Sequence, residues 1–135
     1  LAVVTLGVEA DRDTLARLAT VLPPTEVMVY LYAHLPLMIS RVPLPPDKPG
    51  LRLLSPQGEE LRLMVRNGLT YVVASQPLQL PTALPDWRQW GWHRFLIDVR
   101  RSGLPVFKLK DLKFRLLRGL KLPPGATFNY YRQLD

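Results

Sequence analysis

Tyr32, His34, Ser40 and Arg41 follow directly on the apolar run Met28 to Leu31, within the stretch Glu-Val-Met-Val-Tyr-Leu-Tyr-Ala-His-Leu-Pro-Leu-Met-Ile-Ser-Arg from Glu26 to Arg41. Polar groups just beyond the carboxyl end of a buried strand stand where α/β proteins carry their chemistry. There, His34 and Arg41 could position or polarise a substrate, with Tyr32 binding it. Two carboxylates occupy comparable places: Glu9 behind the first apolar segment, and Asp98 near the end of Trp92 to Arg100. They are the candidate acid and base groups. Arg100 lies two residues past Asp98, on the same side of an extended chain, and is a candidate substrate-binding cation. A salt bridge from Asp98 and Arg100 to neighbouring loops is the more ordinary use of such a pair.

These residues do not make a complete active site. No serine, histidine and acid are spaced as a triad, and no two carboxylates are placed for an aspartic mechanism. The chain has no cysteine, which excludes a thiol nucleophile, a disulfide and an iron–sulfur cluster held by this segment alone. His34 and His93 are the only histidines and lie far apart, so no metal site and no cofactor is expected. Whether the chain is an enzyme stays open on these grounds.

A second class of function comes from charge. The net charge is +7, and the stretch from Arg94 to Lys121 carries it: nine lysines and arginines there face only Asp98 and Asp111. Lys110, Lys113, Arg115 and Arg118 could contact RNA phosphates, with Phe95, Phe107, Phe114, Phe128, Tyr130 and Tyr131 available to stack on bases. The commoner use of such a pattern is a solvated basic helix face with the aromatics in the core. A third class is a purely structural or interaction module.

The elements that must position these groups can be read in order. Leu1 to Val8 reads as a short buried strand. Asp11 or Asp13 caps a helix carrying Leu15, Leu18 and Leu22, which Pro23 and Pro24 terminate. Met28 to Leu31 suits a strand covered on both faces, as in a parallel sheet. The proline-rich connection from Pro43 to Gly50 excludes regular structure. Leu51 to Leu54, Glu60 to Val65 and Leu69 to Ala74, joined by Ser-Pro-Gln-Gly and Asn67-Gly68 turns, form an antiparallel meander. Thr82 to Trp90 reads as a helix with Thr82 as cap and Gly91 as stop, Trp92 to Arg100 as a strand, and Leu109 to Leu120 as an amphipathic helix.

Several of these segments resemble the collagenase-like peptidases of unknown catalytic type (peptidase family U-thirty-two). That family carries a segment close to V-Y-G-R-L-P-L-M-I-T-R-x-C-P-L. Here Tyr32 to Leu44 reads Tyr-Ala-His-Leu-Pro-Leu-Met-Ile-Ser-Arg-Val-Pro-Leu, with Ala33 for the glycine, His34 for the arginine and no cysteine near Val42. Leu6 and Glu9 match the family's L-S-P-E-L. Leu54 to Leu63, followed by Ala74-Ser75-Gln76-Pro77-Leu78, is similar to its L-x-D-x-x-G-x-x-F-P-V and asparagine-serine elements. Gly91 to Arg100 follows G-V-x-x-F-R-I-D-L-R, and Phe128 to Leu134 resembles the closing F-N-x-x-R-G-L.

The resemblance implies an α/β fold, the C-terminal fragment of a TIM-like α/β barrel with an inserted antiparallel meander. It also implies a chain that is the C-terminal part of a larger peptidase-family protein, with Asn129 and Arg132 added to the substrate-binding candidates. Related branches of the family hydroxylate RNA bases or quinone rings with cysteine-bound clusters. Residues 1–135 are expected to be one domain in three parts, 1–44, 51–74 and 82–135. The partners implied are the remainder of a parent chain, a peptide or protein substrate, or RNA, with no membrane. Leu1 is not preceded by a methionine or leader, and no apolar run approaches the roughly 20 residues that span a bilayer, so the chain reads as a piece of a cytoplasmic protein.

Overall fold

The computed structural model describes residues 2–8, 10–42, 52–56, 58–120, 122, 125 and 130–131. Glu9, Asn129, Arg132 and the connection from Pro43 to Gly50 lie outside them. The chain divides into two compact units, Leu1–Ala33 with Leu78–Asp135, and His34–Pro77.

In the first unit, β1 (Val4–Thr5) leads through α1 (Arg12–Leu18) and a single 3-10 turn (Pro24–Glu26) to β2 (Val27–Ala33). Asp11 starts the helix as expected: its carboxylate accepts from the Thr14 N–H at 2.8 Å, satisfying one of the donors a helix start leaves open. β2 is the centre of a four-stranded sheet. β1 pairs parallel with its first residues, the short β7 (Leu78–Gln79) pairs antiparallel with its last, and β8 (Arg94–Asp98) runs parallel along the other edge. Between β7 and β8, α2 (Leu84–Gln89) follows a 3-10 turn (Pro81–Ala83). α3 (Val106–Leu117) comes after β8.

β2 alternates, with Val27, Val29 and Leu31 nearly inaccessible and Met28 and Tyr30 half-buried, until both faces close over at Tyr32 and Ala33. One face therefore supplies most of this unit's core, together with Leu15, Leu84, Trp87, Trp92, Leu112 and Leu116. Trp87 is the largest piece of that core. Its ring stacks on Phe95 at 6.0 Å and meets Tyr130 edge-on at 5.8 Å, geometries that satisfy the ring quadrupoles.

The second unit is an antiparallel sheet ordered β3 (Pro36–Ser40), β6 (Leu69–Ala74), β5 (Glu60–Arg66), β4 (Arg52–Leu54). Both turns follow from their residues. The Gly58 N–H donates to the Ser55 carbonyl at 2.9 Å, closing the Ser-Pro-Gln-Gly turn. Asn67 and Gly68 both take left-handed conformations, φ 51° and 72°, the pair of positive angles that a two-residue type I′ hairpin demands. Leu63 lies opposite Val72, which lies opposite Met38, so these three share a face.

The expected α/β barrel fragment is not what forms. Strand exceeds helix, 33% against 28% of the described residues, and both sheets are open, one mixed and one antiparallel. Beyond the end of the buried strand, where polar groups are expected to gather, Pro36 to Ser40 is itself a strand. Its backbone carries unspent donors and acceptors, and β6 satisfies them. At the exit of β2, the edge shared with β1 is occupied by antiparallel β7, which a run of purely parallel strands excludes. The first segment also differs: β1 is only two residues long and Val4 is 49% exposed, because a strand paired on one side and uncovered on its faces has little to bury against.

Candidate functional site

The exits of β2 and β8 adjoin, since Tyr32 pairs with Ile97 and Ala33 with Asp98. Here the sequence candidates Tyr32, Asp98 and Arg100 come together. Arg100 turns back on Asp98: its backbone N–H and Nε donate to Oδ1 at 3.1 and 3.0 Å, and Nη2 donates to Oδ2 at 2.7 Å. The salt bridge thus forms within the pair. Hydrogen bonds from the Arg100 side chain hold the Asp98 carboxyl below the usual carboxylate range against the opposing effect of burial, with help from the Arg101 charge. A carboxylate so stabilised is a weak proton acceptor and is not a proton donor near neutrality. Tyr32 is buried, and burial raises its phenol pKa, so it stays a neutral hydroxyl.

His34 and Arg41 belong to the second unit, at the two ends of β3. Seven residues of extended chain at about 3.3 Å each separate them by roughly 20 Å; one bond cannot be attacked from both. His34 is buried and Arg41 exposed. Ser40 serves the turn after β3, its Oγ accepting from the Val42 N–H at 3.1 Å. Glu9, Asn129 and Arg132 lie outside the described residues. No group of three or more His, Cys, Asp or Glu among the described residues could hold a metal.

Lys110, Lys113 and Arg115 on α3, and Arg118 just past its end, are all exposed. Arg115 Nε pairs with Asp111 at 3.0 Å, and the Arg118 guanidinium lies 4.0 Å over the Phe114 ring. Of the aromatics proposed for stacking, Phe107 and Phe114 are 73% and 55% exposed. Tyr130 is buried, and Phe95 is half-buried against Trp87. The helix starts and ends three residues earlier than its leucines suggest, so Leu112 and Leu116 are its buried residues while Leu120 is outside it.

Two features were not legible in the sequence. Gln79, 2% exposed, grips the backbone of Leu122: Oε1 accepts its N–H at 2.8 Å and Nε2 donates to its carbonyl. A lone polar residue between Leu78 and Leu80 was the available signal. The other feature is a cleft lined by Leu6, Val29, Leu80, Trp87 and Tyr130, with about 10 Å³ in which a water-sized body can move, room for about one water. Burial pushes the Tyr130 phenol well above its usual range. The Trp87 indole N–H opposes that from close by without reaching hydrogen-bond geometry. Thr82, expected to cap α2, instead pairs its hydroxyl with that of Tyr131 at 2.9 Å, and α2 starts without a side-chain cap.

Compared with known protein families, curated proteins and solved structures, the chain matches none. No helix among the described residues is long and apolar enough to cross a membrane.

Proposed function

We propose that this chain is the C-terminal, catalytically incomplete portion of a protein related to the collagenase-like peptidases, supplying substrate-facing and structural groups and no full catalytic constellation. The reading leaves aside the barrel, which the two open sheets exclude. The observation that carries it is the register of β2 against β8. Tyr32, the first residue of the Tyr32 to Leu44 segment, and Asp98, in the Ile-Asp-x-Arg segment, are far apart in sequence, yet they lie on neighbouring strands one register position apart. That register supports the reading by bringing the ends of two of the resembling segments to one end of the sheet.

Within this reading Asp98 fixes Arg100, and Arg100, with a side chain 70% exposed, offers its outer edge to a substrate carboxylate or carbonyl. The test is hydrolysis of gelatin and a broad fluorogenic peptide set by this chain alone and by a longer protein that contains it. The chain alone is expected to be inactive. The longer protein is expected to cleave, with loss of activity on Arg100→Ala. Turnover by the chain alone, or a longer protein inert toward every peptide, overturns the reading.

A further inference from the structure

The side of α3 opposite its buried residues carries an arrangement that the proposed function does not use. At 3.6 residues per turn, Phe107 and Phe114 lie almost on one line along the helix, about 10 Å apart, and that line runs opposite Leu112 and Leu116. Phe107 is 73% exposed, Phe114 55%, and Val106, next to Phe107, 75%. Lys110 and Arg118 stand close beside this ridge, with Lys108 and Arg115 on one flank and Lys113 on the other, all exposed. Asp111 is the one acid on the helix and is paired with Arg115. Two phenylalanines held in water on the face away from Leu112 and Leu116, the helix's two buried residues, and ringed by cations, call for an occupant that is both apolar and anionic.

We infer that this face docks on an anionic lipid surface, the phenylalanines entering the acyl boundary and the cations reaching the headgroup phosphates. Long basic side chains keep their charge at the headgroups while their stems lie along apolar surface, and a helix with aromatic tips and flanking cations suits the plane of an interface. A second copy of the chain is a poor occupant, because the two cationic faces would oppose each other. Single-stranded nucleic acid fits less well. Such binders track the backbone in a groove and stack bases on open ring faces, whereas a single helix is convex and Phe114 already carries the Arg118 guanidinium on one face.

The test is co-sedimentation of the whole chain with phosphatidylglycerol-rich vesicles, with pure phosphatidylcholine vesicles, and a parallel titration with a single-stranded oligouridine. Expected is binding to the anionic vesicles alone, weakened by salt. It should fall more than about tenfold in Lys110→Glu/Lys113→Glu, and comparably in Phe107→Ser/Phe114→Ser. All four side chains are exposed, and circular dichroism checks that each variant keeps its fold. No binding to anionic vesicles at low salt overturns the inference, as does binding that the phenylalanine variant leaves unchanged. Binding to oligouridine without vesicle binding overturns it in favour of nucleic acid.

Discussion

Replacing Gln79 by leucine isolates the clamp that ties the segment after α3 to the first sheet. The side chain is 2% exposed and makes two hydrogen bonds to Leu122. Leucine is close in size and adds no polar atom, so cavity formation and overpacking are minor. Each lost bond costs about 0.5–1.5 kcal/mol net, and a backbone group stranded out of water about 1–3 kcal/mol. Leu122 is half-buried, so water reaches its freed N–H and carbonyl in part, which places the total at about 2–3 kcal/mol. Urea unfolding should show a lower midpoint at unchanged slope, and hydrogen exchange at the Leu122 amide should lose its protection. Gln79→Glu provides the contrast: one oxygen still accepts from the N–H, but the other faces the Leu122 carbonyl, so that variant should recover stability as its carboxyl is protonated at low pH. An unchanged Leu122 exchange rate in Gln79→Leu would refute the clamp.

Trp87→Ala, at a fully buried ring in contact with Phe95 and Tyr130, should cost about 3–5 kcal/mol in equilibrium unfolding, against a smaller loss for the half-buried Trp90→Ala. Gly91→Ala should cost about 1 kcal/mol or more, since Gly91 has φ 85° and an added Cβ would stand 3.3 Å from Pro24. Asp98 is held ionised in the fold with its pKa lowered, so its contribution is present above the unfolded carboxylate pKa and is lost as pH falls through the folded value. Asp98→Asn should therefore narrow the gap between stability at neutral pH and in acid; an equally steep acid loss in the variant would count against the pair. Because Arg100 is largely exposed, salt should weaken that contribution.

Local chemistry was legible wherever a short run of residues sufficed to decide a conformation. Asp11 as cap, Asn67-Gly68 and Ser55 to Gly58 as turns, Gly91 as the stop after α2, and the strand from Leu69 to Ala74 could all be read from neighbouring residues alone. So could the exposed cations of α3. Each depends on a side chain or backbone angle acting within a few positions, with no help from the rest of the chain. Thr82 shows the limit: its type suits a cap, but Tyr131, distant in sequence, takes its hydroxyl.

What the tertiary structure alone decided was pairing. A strand's sequence states that its backbone needs partners and which side chains alternate, but not which strand supplies them. Pro36 to Ser40 is therefore a strand because β6 pairs with it, and antiparallel β7 lies against the end of β2 where β1 has stopped. The candidate site divided for the same reason. Asp98 and Arg100, two residues apart, stayed together, whereas His34 and Arg41, seven apart, were drawn to opposite ends of a strand. Extended chain moves apart what a loop would have folded together, and long-range hydrogen bonding determined which of the two formed.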